Sequence, residues 1–179
     1  MTYLYIAGIA VILGGAWIYR SRVAELGRAA IDPGSRLRYA NRRWVIEGTA
    51  GGRTVRYTTG TLGLLPGLTY LYVEAPVSAG FAVTDGEPVA NVPVELAGTV
   101  AALRRRDGFR RLDAFDAPGR DAAVIGRVSW LAPGGGLMLR RYTKSGGDPG
   151  FVRDDLSAML KIADAMAGGL ARRQAAARH

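Results

Sequence analysis

The residues TYLYIAGIAVILGGAWIY, positions 2 to 19, form a run of 18 uncharged positions closed by Arg20 and Arg22. As a helix rising 1.5 Å per residue, such a run is about 27 Å long, close to the roughly 30 Å hydrocarbon core of a bilayer. An arginine at its end can reach back to the interface and cover the difference. Tyr3 and Tyr5 at one end, and Trp17 and Tyr19 at the other, match the aromatic belts that flank a membrane span. A signal peptide would place charge before the apolar run and small residues at a cleavage point, and WIYRSR offers neither. A helix destined for a water-soluble core would keep a polar face, which this run lacks. The sequence therefore predicts a transmembrane anchor helix.

Charge sets its direction. No charged side chain precedes the run, whereas Arg20, Arg22 and Arg28 follow it. The positive-inside rule then predicts a single-pass protein of the bacterial inner membrane, with the N-terminus outside and the remainder in the cytoplasm. Ala7, Ala10 and Gly14 fall on one helical face, with Gly8 and Gly15 beside them. Small residues let another transmembrane helix approach closely, so this face is the candidate packing surface for a second copy or another membrane subunit. Tyr3, Tyr5, Trp17, Tyr19, Arg20 and Arg22 are the candidate interface residues.

The rest reads as an α+β domain: a small, mostly antiparallel β domain with a closing C-terminal helix. The expected layout is an anchor with its cytoplasmic extension over 1–30, the domain over 31–172 and a basic tail over 173–179. SRVAELGRAA continues the first helix and DPG at 32–34 stops it. RRWVIEGT and RTVRYTTG flank AGG, the pattern of a β-hairpin. LTYLYVEAP alternates in the manner of a strand, and Phe81 to Thr84 makes a short one. GTVAALRRRDG predicts a short helix, while FRRLDAFD, AAVIGRVSW and GLMLRRYT predict strands separated by the turns APGR and APGGG. The loop GTLGLLPG carries apolar residues. In the last helix, Asp148 caps, Pro149 opens the first turn, and Asp154 with Asp155 suit the positive end of the helix dipole. Val152, Leu156, Met159, Ala163, Met166 and Leu170 make its apolar stripe.

The chemistry available is narrow. The chain has no cysteine, and its one histidine is His179, which excludes thiol nucleophiles, thiolate and histidine metal sites and Ser-His-Asp catalysis. Asp113, Asp116 and Asp121 lie close in sequence but lack the ligand ladder of a calcium loop, and read as acids balancing nearby arginines. An enzyme would have to use carboxylates and arginines, with Asp113, Asp116 and Glu95 as its candidates. PGGGLM and GTLGLLPG lack the lysine and helix start of a phosphate loop, and Lys144 beside Ser145 diverges if the segment is extended. The expectation is no enzyme, no cofactor and no metal. Of 24 basic residues, 22 are arginine, and the formal charge is +9. They gather at Arg36 to Arg43, at Arg140–Arg141, in the tail, and most densely at Arg104, Arg105, Arg106, Arg110 and Arg111. Beside a cytoplasmic leaflet, such a basic patch is expected to meet anionic lipid head groups. No nucleic acid is expected, because neither an RNP-like aromatic pattern nor a helix-turn-helix signal accompanies it.

RRWVIEGTAGGRTVRY resembles a hairpin motif, W-x-V-x-G followed by G-R-x-V, found in a loose set of uncharacterised bacterial single-span membrane proteins with a small α+β domain. That set carries no activity to transfer. By topology alone, one span with the N-terminus outside followed by a mostly β cytoplasmic domain is similar to the H-like accessory subunits of bacterial photosynthetic reaction-centre complexes. What this resemblance implies is a non-catalytic, membrane-anchored accessory or stabilising subunit of an inner-membrane complex, photosynthetic or respiratory, whose partners are other membrane-protein subunits. The alternative is a membrane-tethered domain that binds a ligand or lipid, with LGLLPGLTYLY lining the pocket.

Overall fold

The alternating segments after residue 35 assemble, in the computed structural model of the chain, into a seven-stranded sheet in which every neighbouring pair is antiparallel. The structure describes residues 2–41, 43–58, 67–77, 80–87, 92–116, 131–143 and 148–176; in the terminal helices side chains are described at Ile6 and from residue 8 to residue 170. In chain order the elements are α1 (Thr2–Ala30), β1 (Arg36–Ala40), β2 (Arg43–Ala50), β3 (Arg53–Thr58), β4 (Gly67–Glu74), β5 (Phe81–Thr84), α2 (Val94–Arg105), β6 (Phe109–Phe115), β7 (Gly136–Thr143) and α3 (Pro149–Ala176). The strands lie in the order β1-β2-β3-β4-β7-β6-β5. The expected α+β architecture with a closing helix is what forms.

Local chemistry explains the turns. The β2–β3 hairpin closes through Gly51 at φ +56° and Gly52 at φ +72°, and two consecutive positive φ angles match the twist that a two-residue hairpin needs. α3 starts where Asp148 Oδ1 accepts the Gly150 N–H at 2.6 Å and the Phe151 N–H at 3.3 Å. The β1 strand was not anticipated: RLRYA is only 5 residues long, and its arginines mask the alternation of Leu37 and Tyr39. α2 begins at Val94, right after Pro93, several residues earlier than its sequence suggests. α3 runs on to Ala176, so the helix extends into the expected basic tail. Gly168 and Gly169 weaken it, but the following Ala, Arg and Gln residues are good helix formers. The expected strand over 122–130, the loop GTLGLLPG up to Pro66, the turn APGR, Asp121 and the Lys144–Ser145 pair lie outside the described residues.

The sheet has two different faces. Ile46, Tyr57, Leu71, Leu139, Leu112 and Val83 stand in one cross-strand row, and all are buried in the main core. Val23, Leu26 and Ala30 of α1, Leu96, Val100 and Leu103 of α2, and Val152, Leu156, Met159 and Ala163 of α3 cover that row. The expected α3 stripe thus packs as far as Met166, which is partly buried. The opposite face holds a second cluster, in which Val45, Tyr70, Tyr72, Phe115 and Met138 meet Leu131 and Ala132. Tyr72 donates to the Gly134 and Gly135 carbonyls, 3.3 and 3.1 Å away, and so holds the approach to β7 against this face.

Among the described residues no helix is long and apolar enough to cross a membrane.

Candidate interaction surface

α1 is one uninterrupted helix with two surroundings. From Tyr19 onward it lies on the sheet. Tyr19 packs against the main core, and Val23, Leu26 and Ala30 enter it. The approach is close because Gly27 has no side chain: a Cβ there would come within 2.5 Å of Ile46 Cγ2 and 2.8 Å of Ser35 Oγ. Arg20 lays its guanidinium 5.9 Å from the centre of the Trp44 ring, and Arg153 donates to the Ala29 carbonyl at 2.6 Å, satisfying an acceptor at the end of α1. Asp32 then stops the chain in a turn: its Oδ1 accepts the Gly34 N–H at 2.9 Å, and this bond holds its carboxyl below the usual range.

Before Tyr19 the helix stands clear of the domain. Ile6, Ile9, Val11, Ile12, Leu13, Trp17 and Ile18 are all exposed, from 52% at Ile18 to 75% at Val11. At roughly 100° per residue they point all round the axis. On the expected small-residue face, a Cβ at Gly8, Gly14 or Gly15 would meet nothing within 4 Å, and Ala10 is exposed. No described part of this chain packs there. The side chains of Tyr3, Tyr5 and Ala7 lie outside the described residues. Of the expected interface residues, Trp17, Arg20 and Arg22 are exposed. Tyr19 is half-buried and packs against the main core.

Among the described residues the basic clusters are only in part solvated faces: Arg36, Arg38, Arg105 and Arg110 are exposed, and others are drawn into the fold. Arg141 is 2% exposed. Its five N–H groups find five acceptors: Nε donates to Asp155 Oδ2, Nη2 to Asp155 Oδ1 at 2.9 Å and the Leu103 carbonyl at 3.0 Å, and Nη1 to the carbonyls of Arg106 and Asp107 at 3.2 and 3.1 Å. One buried side chain thereby ties β7 to the C-terminal end of α2 and the first turns of α3. Arg106 adds ion pairs to Asp154 at 3.2 Å and Asp155 at 3.1 Å, and stacks over Phe151. Burial pushes the Asp155 carboxyl up, against the pull of Arg141 and Arg106. Asp155 is therefore a buried ion-pair partner more than a dipole acid. Both residues were legible by phase: Arg141 shares the parity of Leu137 and Leu139, and Asp155 sits three after Val152 and four before Met159.

On the opposite face two carboxylates are each shared by two arginines. Asp113 takes Arg111 at 2.7 Å and Arg140 at 3.3 Å; Glu47 takes Arg56 at 2.9 Å and Arg38 at 3.4 Å. In the expected basic patch, then, Arg106 and Arg111 are engaged, Arg110 lies 3.7 Å from Asp85, and Arg104 and Arg105 close the last turn of α2. The patch is thinner than its sequence implies, because strand and helix geometry deals its five arginines onto different faces.

The residues considered for chemistry do not converge. Glu95 is exposed in the first turn of α2, Asp113 is bound by arginines on the other side of the sheet, and Asp116 is exposed just beyond β6. Among the described residues no three metal-binding side chains gather. Of the apolar stretch expected to line a pocket, Leu68 to Tyr72 form part of β4, where Tyr70 and Tyr72 are packed into the second cluster. No protein-family model, curated protein or solved structure matches the chain.

Proposed function

We propose that the protein is a membrane-anchored accessory subunit: α1 up to Tyr19 is held in the bacterial inner membrane with its N-terminus outside, and the sheet domain lies in the cytoplasm and steadies a membrane-protein complex, photosynthetic or respiratory, without catalysing a reaction. The observation that carries this reading is the all-round apolar coat of α1 before Tyr19, left uncovered by the domain. A helix that is apolar on every side belongs in a large core or in lipid. Moving Ile6, Ile9, Val11, Ile12, Leu13 and Ile18 into hydrocarbon favours insertion by about 2–4 kcal/mol in sum. The sequence supplies the remaining apolar positions back to residue 2, and Arg20 and Arg22 supply the positive-inside signal. The open face at Gly8, Gly14 and Gly15 fits a transmembrane helix of a partner subunit. The likeness in topology to H-like reaction-centre subunits suggests the kind of role.

The chain has no native cysteine, so single cysteines report topology cleanly. In intact cells Thr2→Cys should react with a membrane-impermeant maleimide and Lys161→Cys should react only after lysis. The full-length protein should resist carbonate extraction and leave the membrane in mild detergent together with other membrane proteins. Release by carbonate overturns the anchor; a lone monomer at every mild detergent concentration overturns the accessory role.

A further inference from the structure

The anchor and the domain share a helix, and this fixes what part of the domain sits nearest the lipid. Tyr39 pairs with Trp44, Thr69 with Arg141 and Arg141 with Phe109, so these residues mark one end of the sheet. Arg43, Leu68, Tyr142 and Gly108 close that end, Tyr142 donating its N–H to the Gly108 carbonyl at 2.7 Å. It is the end at which α1 leaves the domain, because Arg20 lies over Trp44, while Gly27 and Ile31 lie farther along β2, against Ile46 and Gly48.

Three independent observations then coincide there. First, among the described residues ten large apolar side chains are exposed. Seven belong to α1 before Tyr19, and of the other three, Tyr39 at 61% and Tyr142 at 45% both stand at this end of the sheet. The remaining one, Val94, opens α2, about 18 Å of helix from the α2 terminus that Arg141 holds at this end. Second, the end is basic. Arg20 and Arg22 on α1, Arg43 on β2, and Arg104 and Arg105 in the last turn of α2 surround it. Arg110, whose guanidinium lies 5.8 Å from the Tyr142 ring centre, is offset by Asp85; of the other acids at this end, Asp154 and Asp155 are paired with Arg106 and Arg141, and Asp107 is exposed. Third, there is no linker. The uncharged run ends at Tyr19, and Tyr19 already touches the core, so this end of the sheet cannot stand off from the bilayer.

We infer that this end of the sheet, with Tyr39, Trp44 and Tyr142 amid Arg43, Arg104 and Arg105, docks on anionic phospholipid head groups of the membrane that holds α1. The inference rests on the anchor reading above and deepens it. The head-group layer is about 5–8 Å thick on each side of the hydrocarbon. Arg20, at the close of the uncharged run, has its guanidinium 5.9 Å from the Trp44 ring centre, so Trp44 lies within about one head-group thickness of that guanidinium. Tyrosine and tryptophan settle at that level, and arginines there are drawn to anionic lipid. The consequence is orientational: the domain is held against the lipid with α2 tipped toward it, and the opposite sheet end, at Gly51 and Gly52, points away.

Single cysteines carrying an environment-sensitive fluorophore test this on the full chain reconstituted into phosphatidylcholine vesicles with and without phosphatidylglycerol. Ile12→Cys reports the anchor, Tyr39→Cys and Tyr142→Cys report the docking end, and Val94→Cys reports the far side. With phosphatidylglycerol present, the labels at 39 and 142 should shift to the blue and lose access to aqueous iodide, and the label at 94 should stay in water. At about 1 M salt, where the screening length falls to about 3 Å, the labels at 39 and 142 should return to water and the label at 12 should not. Neutralising Arg104→Gln and Arg105→Gln together should weaken docking about 30-fold, at about fivefold per arginine. A label at 12 in lipid with those at 39 and 142 in water in both lipids overturns the docking surface and leaves the anchor standing. A label at 12 in water overturns the anchor itself. Protection at 39 and 142 that appears only in native membranes assigns the surface to a protein partner and also overturns the inference.

Discussion

The two halves of α1 are built from similar residues and lead different lives. Val23 and Leu26 are buried to within a few per cent, whereas Val11 and Leu13, of the same two types and 12 and 13 positions earlier, are among the most exposed large apolar side chains of the described residues. Two features separate the halves. Beyond Tyr19 the apolar positions are spaced on one side, at Val23, Leu26 and Ala30, and polar residues occupy the other. Beyond Tyr19 there is also a glycine where a strand must come near: Gly27 leaves room for Ile46, and Gly48 leaves room for Ile31. The glycines of the first half, Gly8, Gly14 and Gly15, face nothing among the described residues. A glycine in a helix thus has opposite meanings here, an occupied contact in one half and an open one in the other.

Damage to the docked half, or to the sheet beneath it, should be read as lost folding, and damage to the projecting half as lost membrane binding. The largest effect is expected at Arg141. Arg141→Ala should destabilise the domain by about 3–5 kcal/mol, because it leaves the buried Asp155 carboxylate with Arg106 as its one remaining arginine and removes a donor from three carbonyls. Denaturant titration measures it, and an unchanged midpoint would refute the structural role. Leu26→Ala should cost about 2–5 kcal/mol, while Leu13→Ala should stay within about 0.5 kcal/mol on the same titration. Equal effects would erase the boundary at Tyr19. Ile12→Arg should make insertion less favourable by about 3 kcal/mol and move protein from the membrane to the soluble fraction, with the melting temperature of the domain unchanged.

A pH series adds a smaller effect confined to the domain. Burial pushes the Tyr72 hydroxyl up to about 12, from an ordinary value of 10.0, and pushes Tyr57 up as well. The folded state therefore keeps phenolic protons that the unfolded chain gives up. The stability that this represents is fully present below pH 10 and is lost as pH rises toward 12, on the order of 2 kcal/mol for one such group. Tyr72→Phe should reduce the slope of stability against pH across that window at a cost of about 1 kcal/mol at neutral pH. A slope that is unchanged would show that Tyr72 ionises freely. The smallest effect is expected at Gly14→Leu, which should leave folding untouched and act only through any helix that packs on α1.

Much of the fold was legible because it rests on local chemistry. The glycine pair at 51–52, the alternation in β4 and β7, and the Asp148–Pro149 start of α3 each state their element within a few residues. What was misjudged depends on phase or on distant contacts. Arginines were grouped by nearness in sequence, yet neighbours in a strand face opposite sides, so Arg140 joins Asp113 on one face while Arg141 is buried on the other. Tyr19 was placed by its position at the end of an apolar run, and its packing against the main core depends on a sheet far away in sequence.

By itself, the sequence determined that the chain makes an antiparallel sheet with a covering helix, since periodicity and turn residues act over a few positions. It determined as well that the first 19 residues carry no charged side chain. Only the tertiary structure decided where α1 stops being covered, that Arg141 joins three elements, and that the exposed tyrosines collect at the end of the sheet beside the departing helix. Those outcomes depend on strand order and on the angle at which a helix crosses a sheet, and both are set by packing between residues far apart in the chain.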